Sequence, residues 1–249
     1  MSHILNLLAA SSLAMTVAAC SSPAGESGQN IFEGKTFSVL GDSYSTFVGA
    51  VTPDTNYVWY TPQELEHNCT DVDSVSQIWW SIVADSLHMN LLQNNSFSGA
   101  TVCNRGYNGD DYSDRSFITR QDNLPTSDYI FIFGGTNDSW AGAPVGTYDY
   151  DCFDTDSLYT FRPAMALLLS RLKAAQPNAQ IFVLINSQLR SEITESLMAI
   201  ADHYDATYVT LYDIAKQCGH PTKKGQQAIA YQLIRSLYRS AGVYHADVY

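Results

Sequence analysis

Basic residues are few in this chain, and they form no cluster. The 249 residues include 13 Lys and Arg against 25 Asp and Glu, which gives a formal net charge of −12. A nucleic-acid partner is therefore not expected, because contacts to phosphates need clustered cations. No cysteine pair has the close spacing of a zinc site, so no metal is expected, and no other cofactor is predicted. Internal repeats and low-complexity blocks are also absent, and the length suits one sizeable core.

A hydrophobic run that would span a membrane comfortably is lacking as well. Residues 4–19 are apolar and small, but this stretch is too short for such a span and is typical of a targeting segment. It ends at Cys20 after two alanines, which resembles the lipobox of bacterial lipoproteins, although the usual basic n-region is missing. The alternative is a plain secretory peptide that is cleaved nearby. We predict a lipoprotein-type signal at 1–20, a Ser/Gly/Pro-rich tether at 21–30 and a single domain at 31–249.

Cysteine is also scarce in the part of the chain that follows this signal. We expect an exported bacterial lipoprotein that contacts the membrane only through its N-terminal lipid and faces the periplasm or the cell surface. Export places the mature chain where disulfides form. With Cys20 acylated, four cysteines remain, and they allow three pairings that the sequence does not distinguish. These four are Cys69, Cys103, Cys152 and Cys218.

Beyond the tether, apolar runs alternate with segments of helical periodicity. Strands are predicted at 37–40, from 91, 129–133, 181–185 and 208–212, and helices at 76–88, 156–175 with an interruption at Pro163, 191–203 and 222–239. Helices of this length between strands imply right-handed crossovers and a parallel sheet covered on both faces. We therefore predict an α/β fold, a three-layer α/β/α sandwich with a central, mostly parallel sheet of about five strands. Two irregular stretches, 49–73 and 104–123, are typical of functional loops or lids.

The first predicted strand ends abruptly at Gly41-Asp42-Ser43. Ligands of open α/β sheets bind just outside the carboxyl ends of the strands, so Ser43 is the first candidate nucleophile. Taken alone, the tripeptide is explained equally well by a turn that caps the next segment.

Three later segments that follow predicted strands supply the other groups that a nucleophilic serine needs. Gly99 offers a backbone N–H, Asn137 a side-chain amide and His220 an imidazole. Each also has a simpler explanation: a turn for Gly99, a helix cap for Asn137 and a solvated loop position for His220. In a parallel sheet, however, all these strand ends meet at one edge. Acyl transfer requires such a set, namely an activated hydroxyl, a base and donors for the developing oxyanion.

The order of these segments resembles that of the SGNH hydrolases, also called GDSL-type esterases, from Ser38 to about Ala230. The resemblance implies a flavodoxin-like sandwich with Ser43 as nucleophile and His220 as catalytic base. It also implies an oxyanion hole formed by the N–H groups of Ser43 and Gly99 and the side chain of Asn137. The matching blocks are Gly41-Asp42-Ser43, Asn95 to Thr101, Gly135-Thr136-Asn137-Asp138, and His220-Pro221 with Gly225 and Ile229-Ala230.

One position departs from the pattern of that family. The family usually places Asp three residues before the histidine, and here that residue is Gln217. Without a carboxylate, less holds the imidazole in its tautomer and less stabilises the imidazolium. Three groups are candidates for the role: Asp213 after the last strand, a backbone carbonyl, and the amide oxygen of Gln217. The alternative is a degraded site with low turnover.

The substrate is indicated only by the loops. Trp140 lies close behind the third block, and further aromatic residues occur in both irregular stretches. Aromatic rings near a pocket suit stacking on sugars, and Asp42 is a second candidate for substrate contact. We therefore predict a secreted serine esterase that acts on a small-molecule or glycan ester and most simply removes acetyl groups from a carbohydrate. The alternatives are a lipase or lysophospholipase, and a non-catalytic glycan-binding lipoprotein that keeps the fold.

Overall fold

The structure is a computed structural model that describes residues 30–62 and 69–243. The predicted signal at 1–20, with Cys20, and the tether up to residue 29 lie outside the described residues. The described residues from Phe32 onward belong to one compact unit. Within the described ranges, no helix is both long enough and apolar enough to cross a membrane.

Strands and helices alternate along the chain. The strands are β1 (Thr36–Gly41), β2 (Asn90–Ser96), β3 (Tyr129–Phe133), β4 (Gln180–Ile185), β5 (Thr207–Thr210), β6 (Lys216–Gln217) and β7 (His220–Pro221). The α-helices are α1 (Trp79–Leu87), α2 (Phe117–Arg120), α3 (Thr136–Trp140), α4 (Phe161–Ala175), α5 (Ser191–His203) and α6 (Lys223–Ser240). Short 3₁₀ turns lie at Ser43–Ser45, Val75–Gln77, Tyr107–Gly109, Gln121–Asn123 and Ser157–Tyr159.

The central sheet has five strands in the order β2-β1-β3-β4-β5, and every neighbouring pair is parallel. The predicted fold class is therefore confirmed. The chain leaves β1 for β2 on one side and then crosses to β3 on the other side, so the strand order reverses at β1. Such a reversal opens a crevice at the carboxyl ends of the strands, where ligands of this type of sheet bind. The strands β6 and β7 form a separate antiparallel hairpin.

Helices cover both faces of this sheet because its strands are apolar on both sides. Successive side chains of a strand point to opposite faces, and β3 shows this clearly. Phe131 and Phe133 belong to the core that includes residues of α1 and α6, whereas Ile130 and Ile132 belong to the core that includes residues of α4 and α5. The two cores make the molecule a three-layer sandwich.

Several predicted elements differ from those observed at their ends; the first helix, for example, begins at Trp79 rather than at residue 76. The long helix begins at Phe161 rather than at residue 156, and Ser157–Tyr159 form a 3₁₀ turn before it. The predicted interruption at Pro163 is wrong, because proline is the third residue of α4, where the backbone N–H would have no helical partner. The last strand of the sheet ends at Thr210, two residues earlier than the apolar pattern predicts.

Candidate active site

Ser43 follows directly on β1, in a turn that its neighbours fix. The Oδ1 atom of Asp42 accepts a hydrogen bond of 3.0 Å from the backbone N–H of Tyr44 and caps the 3₁₀ turn. A larger residue than glycine at position 41 would clash, because a Cβ there would lie 2.6 Å from the Ser45 hydroxyl oxygen. The local sequence thus holds the Ser43 hydroxyl at the carboxyl edge of the sheet.

The imidazole of His220 lies within hydrogen-bond distance of this hydroxyl. The Nε2 atom of His220 is 2.9 Å from Ser43 Oγ, although the two residues are 177 positions apart in the chain. His220 is the first residue of β7 and therefore follows the two-residue turn of the β6–β7 hairpin. This contact has the geometry of a nucleophile and its base.

A peptide carbonyl occupies the position of the third member of a catalytic triad. The Nδ1 atom of His220 is 3.1 Å from the carbonyl oxygen of Cys218. A carbonyl oxygen only accepts hydrogen bonds, so Nδ1 carries the proton and Nε2 is free to accept one from Ser43. Of the three groups that the sequence leaves open, the structure thus places a backbone carbonyl at the ring.

Asp213 does not fill this role. It lies in a turn after β5 with φ of 53°, and its side chain is exposed to solvent. Gln217 is also exposed, on the strand opposite His220. The prediction of Asp213 as the third catalytic residue is corrected, because Asp213 is exposed and Nδ1 of His220 contacts the carbonyl of Cys218 instead.

Two tryptophan side chains contact the imidazole ring of His220. The indole of Trp59 stacks on it with ring centroids 3.5 Å apart and planes 7° apart, and Trp140 meets it edge to face at 5.9 Å. Burial lowers the pKa of His220 from 6.5 to about 4; the hydrogen bond that Nδ1 donates to the Cys218 carbonyl opposes this decrease, and the Lys216 ammonium adds to it. The imidazole is therefore neutral at pH 7 and able to accept a proton.

Gly99 and Asn137 face Ser43 from the two neighbouring strand ends. Gly99 follows β2 and has φ of 83°, a left-handed conformation that favours glycine. Within the part of the chain that the structure describes, neither the N–H of Ser43 nor that of Gly99 has a hydrogen-bond acceptor. Asn137 lies in α3 after β3, and its Nδ2 donates one hydrogen to the Ala100 carbonyl at 3.0 Å, which leaves the second hydrogen available. The two backbone N–H groups and the Asn137 amide are the kind of donors that stabilise the negatively charged oxygen of a reacting ester.

The same groups line one cavity of about 220 Å³. Trp140 forms part of its wall and is 45% exposed, so this side chain extends from the cavity to solvent, where a substrate would meet it. The residues that line the cavity are Ser43, Trp59, Ser98, Gly99, Tyr107, Asn137, Trp140 and His220.

Asp42 is not part of this lining. Its side chain is fully buried beneath the site. Burial raises the pKa of the Asp42 carboxyl to about 7; the hydrogen bond from Tyr44 opposes this increase and the nearby Asp138 adds to it. The prediction that Asp42 contacts substrate is therefore wrong, because its carboxyl caps the turn from the protein side.

A disulfide joins the first irregular stretch to the β6–β7 hairpin that carries His220. It links Cys69 to Cys218, and it leaves Cys103 as a buried and Cys152 as an exposed free thiol. The bond thus anchors the residue whose carbonyl lies at Nδ1 of His220.

Sequence reasoning missed two further residues of the site. Trp59 belongs to the aromatic residues of the first irregular stretch, but its stacking on His220 is not predicted from the sequence. Tyr107, in the second irregular stretch, donates a hydrogen bond of 2.8 Å from its hydroxyl to Oδ1 of Asn137. The only signal for either residue is the richness of both stretches in aromatic residues, because their contacts depend on the paths of two irregular loops.

The fold and the site together define an α/β protein of the hydrolase type, with a serine and a histidine in contact at the switch point of a parallel sheet. The model of the GDSL-like lipase/acylhydrolase family matches residues 35–237, and the chain belongs to this family. The resemblance that the four sequence blocks predict is thereby confirmed.

Solved structures agree with this assignment. A protein of Bacteroides ovatus that is assigned as a GDSL-like lipase is 50% identical, with a TM-score of 0.81 over 83% of this chain and 99% of that one. A second, from Bacteroides uniformis, is 48% identical with a TM-score of 0.80, over 83% of this chain and 96% of that one. A family two carbohydrate esterase from Clostridium thermocellum, in complex with cellohexaose, is 15% identical with a TM-score of 0.53, over 84% of this chain and 65% of that one, and shares the fold alone. No curated protein sequence matches the chain.

Proposed function

We propose that this protein is a serine esterase in which Ser43 attacks a carboxylic ester and His220 is the base. The observation that carries the proposal is the 2.9 Å contact between Ser43 Oγ and His220 Nε2 at the wall of a cavity. Membership of an acylhydrolase family supports hydrolysis. The carbonyl of Cys218 argues against a degraded site, because it can hold the tautomer that a missing carboxylate would otherwise hold.

The reaction would pass through an acyl-enzyme. Nε2 of His220 takes the proton as Ser43 Oγ attacks the carbonyl carbon of the ester, and the N–H groups of Ser43 and Gly99 and the Asn137 amide stabilise the oxyanion. The tetrahedral intermediate then expels the alcohol, which His220 protonates. The same imidazole next activates a water molecule, which attacks the acyl-enzyme, releases the acid and restores the Ser43 hydroxyl.

The size of the cavity favours a small acyl group. Its volume of about 220 Å³ lies below the roughly 300–1,000 Å³ of pockets that enclose drug-sized ligands. An acetyl group fits such a space together with the reacting carbonyl, whereas a long acyl chain would extend into solvent.

The surroundings of the cavity favour a carbohydrate as the alcohol part of the ester. Trp140 in the cavity wall is 45% exposed, and Tyr57 is 68% exposed. The Tyr57 carbonyl accepts a 2.8 Å hydrogen bond from the N–H of Ser98, which places residue 57 beside the cavity wall. Exposed aromatic rings suit stacking against sugar rings. The carbohydrate esterase with cellohexaose has the same fold, which is compatible with this proposal.

The experiment that tests the proposal compares the mature protein with its Ser43→Ala variant on p-nitrophenyl acetate, p-nitrophenyl palmitate and acetylated xylan. We expect the wild type to hydrolyse the acetyl ester and to release acetate from xylan. Ser43→Ala should lower these rates by about 10⁴-fold or more, as for loss of the nucleophile in other serine hydrolases. A matched control is Ser76→Ala, since Ser76 is exposed and does not line the cavity.

The outcomes separate the alternatives. Equal rates for wild type and Ser43→Ala would contradict the esterase assignment. A preference for the palmitate ester would contradict the carbohydrate substrate and favour a lipase. Binding to xylan without turnover would favour a non-catalytic glycan-binding protein.

We also propose that the protein is exported and held at the membrane by a lipid on Cys20. The proposal is supported by the N-terminal sequence pattern and by the Cys69–Cys218 disulfide. Disulfides persist in oxidising compartments outside the cytoplasm.

A further inference from the structure

The side chain of Asn137 has two hydrogen-bond partners that determine its orientation. Its Nδ2 donates to the carbonyl of Ala100 at 3.0 Å, and its Oδ1 accepts from the hydroxyl of Tyr107 at 2.8 Å. The Ala100 carbonyl only accepts, so the amide atom that faces it is Nδ2; the other amide atom is therefore Oδ1, and the Tyr107 hydroxyl donates to it. The second Nδ2 hydrogen is left for the oxyanion.

We propose that Tyr107 is a positioning residue of the oxyanion hole, which holds the Asn137 amide so that its free N–H points to the reacting carbonyl. The proposal rests on the proposed esterase function and extends it to a residue outside the four family blocks. Tyr107 belongs to the irregular stretch between β2 and β3, and Asn137 to α3, so the hydrogen bond ties a loop to a strand end.

The hydrogen bond from Tyr107 to Asn137 also strengthens the Asn137 amide as a donor to the oxyanion. A hydrogen bond to Oδ1 polarises the amide, so the N–H that faces the oxyanion becomes a stronger donor. The Tyr107 hydroxyl stays protonated, since burial raises its pKa to about 12, and the charges of Asp42, Tyr112 and Asp138 add to the increase. It is therefore a donor to Asn137 throughout the working range of an esterase.

The loop that carries Tyr107 is itself held in place. Tyr107 lies in a short loop at 105–111, and a β-bridge between Arg105 and Asp111 joins the two ends of this loop. Within the loop, the carbonyl of Tyr107 accepts a 3.0 Å hydrogen bond from the N–H of Asp110. The Tyr112 ring packs so closely over Gly106 that a Cβ at that position would lie 2.4 Å from it. Loss of the Tyr107 hydroxyl alone is therefore expected to leave the loop in its conformation.

The test is the Tyr107→Phe variant, assayed on p-nitrophenyl acetate. We expect kcat to fall about tenfold, which corresponds to about 1.4 kcal/mol, with KM changed less than twofold. The reason is that the Asn137 donor remains but is less well aligned, whereas complete loss of an oxyanion donor costs about 10²–10³-fold. Tyr112→Phe is the matched control, because it removes a hydroxyl from the same loop, and it should keep the wild-type kcat.

A double-mutant cycle with Asn137→Ala shows whether Tyr107 acts through Asn137. In that background, Tyr107→Phe should change kcat less than twofold, since the group that it positions is gone. If turnover of Asn137→Ala is too slow to measure, the rate of inactivation by a fluorophosphonate is used instead of kcat. It is measured by intact mass for the wild type, both single variants and the double variant.

Three results would overturn the inference. They are a wild-type kcat for Tyr107→Phe, an equal effect of Tyr107→Phe with and without Asn137, and a change in KM alone, which would indicate direct contact with substrate. Failure of the proposed function is distinguished from these, because it would show as wild-type protein without Ser43-dependent turnover.

Discussion

At the scale of single residues, the site depends on what surrounds the imidazole of His220. The carbonyl of Cys218 accepts from Nδ1, and the indole of Trp59 stacks on the ring. A neutral carbonyl stabilises an imidazolium less than a carboxylate does. The face of an indole attracts a cation, so Trp59 offsets part of this difference when His220 is protonated during the reaction.

The first prediction concerns the pH dependence of this base. Burial holds the pKa of His220 at about 4, and only the neutral imidazole accepts the proton of Ser43. As pH rises through 4, His220 loses its proton and kcat/KM should rise, with a plateau through neutral pH. The measurement is kcat/KM on p-nitrophenyl acetate from pH 3 to 8, in protein that circular dichroism shows to be folded at each pH.

The matched control for this prediction is Asp213→Asn. Because Asp213 is exposed, the variant should keep both the midpoint and the rate within a few-fold, whereas loss of a triad carboxylate can cost about 10⁴ in turnover. Two results would show that this description of His220 is wrong. One is a kcat/KM profile whose acidic limb has its midpoint near 6.5, the ordinary pKa of histidine; the other is a large loss of rate in Asp213→Asn.

The sequence predicts some of these residues and not others, for a physical reason. Ser43, Gly99 and Asn137 each follow a strand of a parallel sheet, so their approximate place depends only on the fold. Trp59 and Tyr107 lie in irregular loops, and their contacts depend on the path of each loop in space. The carbonyl of Cys218 carries no side-chain signal at all, because every residue has one.

At the scale of elements, the loop after Ser43 fixes the hairpin that carries His220. The Tyr60 hydroxyl donates to the Pro221 carbonyl at 2.8 Å, and Cys69 is bonded to Cys218. Both contacts lie within two residues of His220 along the chain. Tyr60 and Cys69 therefore hold the hairpin in place, and Trp59 from the same part of the chain stacks on the imidazole.

Removal of the disulfide tests whether this bond positions the hairpin that carries His220. Cys69→Ala should lower the free energy of unfolding by about 3–5 kcal/mol, because a bond across 149 residues restricts the unfolded chain. It should also lower kcat several-fold, since the Cys218 carbonyl is held less firmly at Nδ1. The measurements are urea unfolding and kcat on p-nitrophenyl acetate at a temperature where the variant is folded.

Cys152→Ala is the control for the disulfide variant. Cys152 is an exposed free thiol, so its removal should leave stability and rate unchanged. Wild-type stability and kcat in Cys69→Ala would contradict the role of the disulfide. A loss of stability with unchanged kcat would show that the bond stabilises the fold without positioning His220.

Elements were predictable where their pattern was long and regular. The apolar run at Tyr129–Phe133 and the helix at Ser191–His203 are found at their predicted bounds. The start of α4 was predicted too early because Leu158, three residues before Phe161, continues the apolar helical spacing without joining the helix. Helical spacing does not distinguish an α-helix from a short 3₁₀ turn that leads into it.

At the scale of the whole molecule, the reversal of strand order brings the site together. Because β1 lies between β2 and β3, Ser43 is flanked by Gly99 on one side and Asn137 on the other. His220 comes from a hairpin outside the sheet and completes the site from the far end of the chain. Five parallel strands can be predicted from the alternation of the sequence, but the order of these strands depends on packing between distant segments.

Covalent capture at Ser43 is the most direct test of the central claim that Ser43 and His220 form a working nucleophile and base. The protein is incubated with a fluorophosphonate, and the adduct is located by intact mass and peptide mapping. We predict one phosphonyl group per chain, on Ser43, with loss of ester hydrolysis in step with labelling and a much slower reaction in His220→Ala. A label on another residue, or undiminished hydrolysis after complete labelling, would contradict the account.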